Sequence, residues 1–127
     1  ETLIALMGAM HMSLLGPEGL AKLSQRNMAA CQLAKQKLSE ITTIALPHAM
    51  NCHYNEFVIE LPGSAADCIA YLDTQGLIGG YDLSNWYGRR TNWLLVSFSD
   101  QTDAAEIELL TAHLAVWSTS MIQGVNA

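Results

Sequence analysis

The apolar positions of this chain follow two rhythms, one helical and one of strict alternation. At the start Leu3, Met7, Met10 and Leu14 recur at helical spacing, with Ile4, Ala5, Ala9 and Leu15 filling the flanks. A helix apolar on nearly every side needs cover on more than one side. Residues 1–15 therefore read as a buried interface helix, with His11 as a core histidine. Gly8, beside Ala5 and Ala9, would let another helix approach closely. The segment is too short for a bilayer span. "GPEG" then punctuates: Gly16 suits a helix end, Pro17 the first turn of the next helix, and Glu18 its positive N-terminal dipole. The second helix, residues 17–40, is amphipathic. Leu20, Leu23, Cys31, Ala34, Leu38 and Ile41 form its stripe, opposite Lys22, Gln25, Gln32, Lys35 and Gln36.

Residues 42–118 read as a sheet-and-helix layer. "TTIAL" has strand chemistry up to Pro47, and "HAMNCHYN" is irregular. In "EFVIELP", Phe57, Ile59 and Leu61 alternate with Glu56, Val58 and Glu60, as in a strand with one buried face. Ser64 and Asp67 cap a short helix that stops at Gly76, and Leu77–Ile78 suggest a brief strand. In "RRTNWLLVSFS", Leu94, Val96 and Phe98 alternate with Trp93, Leu95 and Ser97. Asp103 and Glu106 form a second capping box, opening a helix with Ile107, Leu110, Leu114 and Trp117 on one stripe. Residues 119–127 read as a frayed tail. The order predicts one α+β domain: an antiparallel or mixed sheet with helices on one face, preceded by a long apolar helix.

Composition narrows the function classes. Half the 127 residues are apolar and 14% are charged, against a usual charged share of about a quarter, which suggests surface meant to be covered. The net charge is −6, and the six Lys/Arg form no stripe. Nucleic acid and anionic membrane are disfavoured as partners. Three cysteines without regular spacing, Cys31, Cys52 and Cys68, fit a reduced, cytoplasmic setting.

The candidate chemistry is sparse. His48, Cys52 and His53 lie close together, but their spacing fits no common zinc pattern. A cysteine nucleophile would have only Cys52 beside His53, which as strand neighbours would face opposite ways. Lys22, Lys35 and Lys37 sit on the polar face of one helix, whereas a Schiff-base lysine is normally desolvated. In "GLIGGYDLSNWY", Gly76 reads as a helix cap, and Gly79–Gly80 permit positive φ or close backbone approach. Asp82, Ser84 and Asn85 offer acceptors beside Tyr81, Trp86 and Tyr87. The stretch is either a turn or a contact surface.

"LLGPEGL", "NEFVIELP", "QGLIGGYDLS-WY" and "NWLLVSFSD" leading into "EIELL" occur in that order. Together they resemble the C-terminal region of subunit 1 of the two-subunit glycine dehydrogenase (decarboxylating), the P-protein of the glycine cleavage system. The resemblance implies the small C-terminal domain of a fold-type-I pyridoxal-phosphate enzyme. It further implies glycine decarboxylation with aminomethyl transfer to the lipoyl arm of the H-protein, and a Schiff-base lysine on the other subunit. On this reading the chain alone binds no cofactor and is inactive in isolation, its partners being the lysine-bearing subunit 2 and the H-protein. Ser99–Asp100 and Trp93 depart from the family pattern. No residue is assigned to catalysis, cofactor or metal. Asn55, Glu56, Gly79, Gly80, Asp82 and Tyr87 are the candidate functional or interface surface. Leu3, Met7, Met10 and Leu14 are the candidate oligomer interface, which fits the alternative reading of a binding or homo-oligomerisation module.

Overall fold

The computed structural model describes residues 1–125. In chain order the elements are α1 (Thr2–Ser39), β1 (Glu56–Glu60), α2 (Ala65–Thr74), β2 (Tyr81–Asp82), β3 (Trp93–Ser97) and α3 (Ala104–Val125). α1 is broken at Gly16, whose φ of 62° and ψ of −178° no helix accommodates. Pro17 follows, with its φ pre-set for a new first turn. Beyond the break, Asn27, Cys31, Ala34 and Leu38 are buried. Their spacing of four, three and four residues puts them on one face. Leu20, seven residues before Asn27 and so on the same face, is nevertheless exposed.

Ahead of the break the outcome differs from the sequence expectation. Every residue from Glu1 to Leu14 is exposed, His11 among them; Leu3 keeps 69% of its surface and Leu14 86%. Apolar periodicity reports which side chains need cover, not whether the same stretch of chain supplies it. α1 as a whole is long and apolar enough, by length and composition, to cross a membrane. The apolar stretch before Gly16 spans only about 21 Å at the rise of an α-helix, short of a ~30 Å hydrocarbon core.

The sheet has the order β1-β3-β2 and is antiparallel throughout. Val58 pairs with Leu95 and Glu60 with Trp93, while Tyr81 meets Leu95 from the other side. One face carries Phe57, Ile59, Leu94 and Val96, continued by Phe98, all buried. Phe57 and Phe98 stack with ring centroids 5.8 Å apart. Against this face lie Cys31, Ala34 and Leu38 of α1, Ala65, Cys68 and Leu72 of α2, and Ile107, Leu114 and Trp117 of α3. The opposite face, with Val58, Leu95 and Tyr81, retains solvent.

Both predicted helix starts are capped. Ser64 Oγ accepts the Asp67 N–H at 3.4 Å. Asp103 and Glu106 exchange bonds, with Asp103 N–H donating to Glu106 Oε2 at 2.9 Å and Glu106 N–H to Asp103 Oδ1 at 2.8 Å. The expected strand over 42–46 shrinks to one bridge, Ala45 to Glu60, because Pro47 has no N–H with which to extend the ladder. The strand expected at Leu77–Ile78 forms instead at Tyr81–Asp82. α3 continues to Val125 through most of the stretch read as a tail; residues 126–127 lie outside the described residues.

Candidate functional site

The glycine-rich stretch owes its shape to α2 and β3. After α2, Gly76 turns the chain at φ 74°, and Leu77 N–H returns to Leu72 O at 3.0 Å. A side chain on Gly79 would overlap the buried Leu72 side chain, and one on Gly80 would overlap the carbonyl oxygen of Leu95. Gly80 also holds φ 142°, a region that essentially only glycine visits. Both glycines thus bring β2 into the sheet. Asp82 then closes an Asx turn, its carboxylate accepting Ser84 N–H at 2.8 Å and Ser84 Oγ–H at 2.9 Å.

The aromatic second half faces outward. Trp86 is 74% exposed, and its Nε1–H donates to Tyr81 OH at 3.2 Å. Tyr87 is exposed and lies 5.9 Å from Trp93, ring to ring. The Arg90 guanidinium sits 4.7 Å above the Trp93 ring, a cation–π arrangement. Trp93 Nε1–H donates to Glu60 Oε2 at 3.3 Å, and Asn92 Nδ2–H to Glu60 Oε1 at the same distance. His48 meets Trp93 edge-on at 5.9 Å. Glu60, Asn92, Trp93 and Arg90 thus interlock at one end of the sheet.

The six candidate residues are not one constellation. Glu56, Gly79 and Gly80 line a shallow depression with Tyr81, Leu95 and Ser97. Asn55 extends the β1–β3 ladder, its carbonyl accepting Phe98 N–H at 2.8 Å. Asp82 is committed to its turn, and Tyr87 stands beside Trp93. The four apolar residues proposed as an oligomer interface are exposed along the first half of α1.

His48, Cys52 and His53 do not converge. His48 engages Trp93, His53 engages Lys35, and Cys52 is exposed in the loop, not on a strand. Among the described residues no three His, Cys, Asp or Glu side chains are placed to hold a metal. Burial pushes the Cys68 thiol up to about 12. Cys31 is also raised, by burial first, with Lys35 opposing it and Cys52 adding to it. Neither buried cysteine is poised as a thiolate.

Two polar residues of α1 hold loops, Asn27 on the buried face and Lys35 on the face that periodicity leaves solvated. Asn27, buried, bridges Tyr54 OH at 2.9 Å and Asp100 N–H at 2.7 Å. Lys35 Nζ donates to Ala49 O at 2.9 Å and Asn51 O at 3.4 Å, and contacts His53 Nδ1 at 3.2 Å. Nothing local marks either one: each partner lies at least 14 residues away.

No family model matches the chain. Individual proteins do. A probable glycine dehydrogenase (decarboxylating) subunit 1 of Geotalea daltonii is 30% identical over 114 residues, covering 90% of this chain and 26% of the relative. The same-named protein of Thiobacillus denitrificans is 31% identical over 120 residues, again 90% and 26%. A crystal structure of the glycine decarboxylase (P-protein) of the glycine cleavage system, in inhibitor-bound form, superposes with a TM-score of 0.79 at 26% identity, covering 88% of this chain and 25% of that one. The chain matches the C-terminal domain of glycine dehydrogenase (decarboxylating) subunit 1. It spans about a quarter of the length of the curated relatives it matches.

Within that P-protein fold, the two departures noted in the sequence have structural uses. Ser99–Asp100 makes the turn into α3: Ser99 N–H donates to Thr102 Oγ1 at 3.1 Å, and Asp100 N–H is the group Asn27 receives. Trp93 is the hub of the Glu60 cluster. The family's pyridoxal phosphate would need a desolvated lysine. Here Lys35 is spent on its loop, Lys37 pairs with Glu108 at 3.1 Å, and Lys22 is exposed. None of the three lysines is placed as a desolvated Schiff-base lysine.

Proposed function

We propose that this chain serves as the C-terminal domain of a P-protein-type glycine dehydrogenase and takes no direct part in bond making or breaking. The whole enzyme, on this reading, decarboxylates glycine with pyridoxal phosphate and passes the aminomethyl group to the lipoyl H-protein. The domain contributes shape and interface, with the aromatic stretch 81–87 and the first half of α1 turned toward the rest of the assembly. The superposition on the P-protein over 88% of this chain is the observation behind the proposal. The lysines support it, Lys35 and Lys37 being engaged and Lys22 exposed, since none is desolvated for a Schiff base.

The test mixes the purified chain with the lysine-bearing subunit and measures complex mass by light scattering after size exclusion. A stable heteromer is expected. The chain alone should not exchange the glycine carboxyl carbon with bicarbonate when pyridoxal phosphate and H-protein are added. Exchange by the chain alone would overturn the non-catalytic assignment.

A second reading rests on the exposed seam of Leu3, Met7, Met10 and Leu14. Their spacing of four, three and four residues is that of a coiled-coil seam, which a second copy could cover. Homo-oligomerisation without partner binding is the outcome that favours it.

A further inference from the structure

We infer that loop 46–53 is a pH-sensitive latch, held closed by Lys35 through neutral His53 and released when His53 takes up a proton. The Lys35 ammonium has three hydrogens and no lone pair. Its three neighbours are Ala49 O at 2.9 Å, His53 Nδ1 at 3.2 Å and Asn51 O at 3.4 Å, all on one loop. Because an ammonium can only donate, His53 Nδ1 must accept, so the imidazole carries its single proton on Nε2. A second proton on Nδ1 would replace the acceptor with a donor and set two cations 3.2 Å apart.

Of the surroundings, only the Asn51 backbone eases that conflict, and it does not offset the rest. Facing His53 are Lys35 from α1, His48 from its own loop, and the Phe57 ring of β1 at 5.9 Å. The thiols of Cys31 and Cys52 interact on the Lys35 side. Lys37–Glu108 is the only ion pair among the described residues, so no carboxylate neutralises the Lys35–His53 pair. His53 accordingly binds its proton below the ordinary histidine range. Burial is the main cause, then Lys35, with the Asn51 backbone opposing and His48 adding to the effect. A base whose proton affinity falls on folding favours the folded arrangement above its unfolded pKa of about 6.5. That contribution is lost as pH falls through the lower folded value.

The hinges confine the movement. Upstream, Ile44 is buried and Ala45 is bridged to Glu60 in both directions, at 2.8 and 2.9 Å. Downstream, Tyr54 OH is held by Asn27. Between them the loop has its own turns, Ala49 N–H to Leu46 O at 3.1 Å and Asn51 N–H to His48 O at 3.0 Å. Leu46 and Ala49 lie over a depression on α1 formed with Gln32, Leu33, Gln36 and Ser39. Lys35 is the side chain that ties the loop to that surface.

The experiment is a pH series from 8 to 5 by ¹H–¹⁵N NMR on the full chain. It follows the His53 ring nitrogens and the amide protection of Ala49 and Asn51, corrected for intrinsic exchange. The expected result is the Nε2–H tautomer at high pH. Loop protection then drops several-fold with the His53 midpoint, while the Ile59 and Leu94 amides hold. His53→Asn keeps an acceptor without the charge, so its loop should stay protected at pH 5. Lys35→Met should leave the loop unprotected throughout and raise the His53 midpoint. Loop protection that is flat while His53 titrates overturns the inference, as does a His53→Asn loop that opens in parallel with the parent. A pH response abolished by His48→Gln instead would overturn it too.

Discussion

The backbone N–H of Asp100 donates to Asn27 Oδ1 at 2.7 Å, joining the middle of α1 to the turn ahead of α3. The same side chain holds Tyr54 OH through Nδ2. One buried amide thus fixes two connections that are distant in sequence. Asn27→Ala leaves the Asp100 N–H without its partner, and such a loss costs about 1–3 kcal/mol. Urea unfolding should show a lower midpoint with an unchanged slope. An unchanged midpoint would mean that water replaces the amide freely.

The two positive-φ glycines flanking Leu77–Gly79 should respond unequally to alanine. At Gly76 a methyl group meets open space, so Gly76→Ala carries only the left-handed backbone cost of about 1–2 kcal/mol. At Gly80 the methyl meets the Leu95 carbonyl oxygen, and β2 must shift or leave the sheet. Gly80→Ala should therefore be the more destabilising of the two by thermal melting. Equal melting temperatures would contradict the close approach of β2 to β3.

The reciprocal bonds of Asp103 and Glu106 anchor the start of α3. Asp103→Ala should lower stability by about 0.5–2 kcal/mol, with the first-turn amides of α3 losing hydrogen-exchange protection before the rest of the helix. Uniform loss along α3 would show that the cap is not local.

The three thiols should separate under a neutral-pH thiol reagent. Cys52 is exposed, whereas Cys31 and Cys68 are fully buried and raised in pKa. One fast equivalent is expected in the native protein and three after denaturation. Mass mapping that finds Cys68 modified first would refute the core as described.

Glutamate at Met7 and Met10 alters only exposed positions. The double variant should unfold at the urea midpoint of the parent while its sedimentation profile moves toward the monomer. A large drop in midpoint would mean that this segment is covered within a single chain.

The parts of the fold legible in the sequence are those whose partners lie on the same strand or helix. Phe57, Ile59 and Leu61 announced a one-sided strand, and Ile107, Leu110, Leu114 and Trp117 a helix stripe, because alternation and helical spacing are local properties. Position 42–46 and the pair Leu77–Ile78 misled, since ladder formation depends on what lies alongside. Pro47 limits the first to a single bridge, and packing of Gly79 and Gly80 moves the second to Tyr81–Asp82. Within the candidate site, Glu56, Gly79 and Gly80 meet only because β1 and β2 flank the same central strand, which no local pattern encodes. The role of Lys35 was hidden for a related reason. A polar side chain on a helix looks solvated until the loop that wraps it is placed.

The break at Gly16 divides the chain into two cooperative units. Asn27, the first side chain seated in the core, comes three turns after it, so the segment ahead of Gly16 gives nothing to the cohesion of the sheet and takes nothing from it. Helical signal should therefore be lost in two stages on heating. The earlier one depends on protein concentration or on a partner that covers Leu3 to Leu14, and the later one is indifferent to both. A single coincident transition at every concentration would show that the two units melt as one.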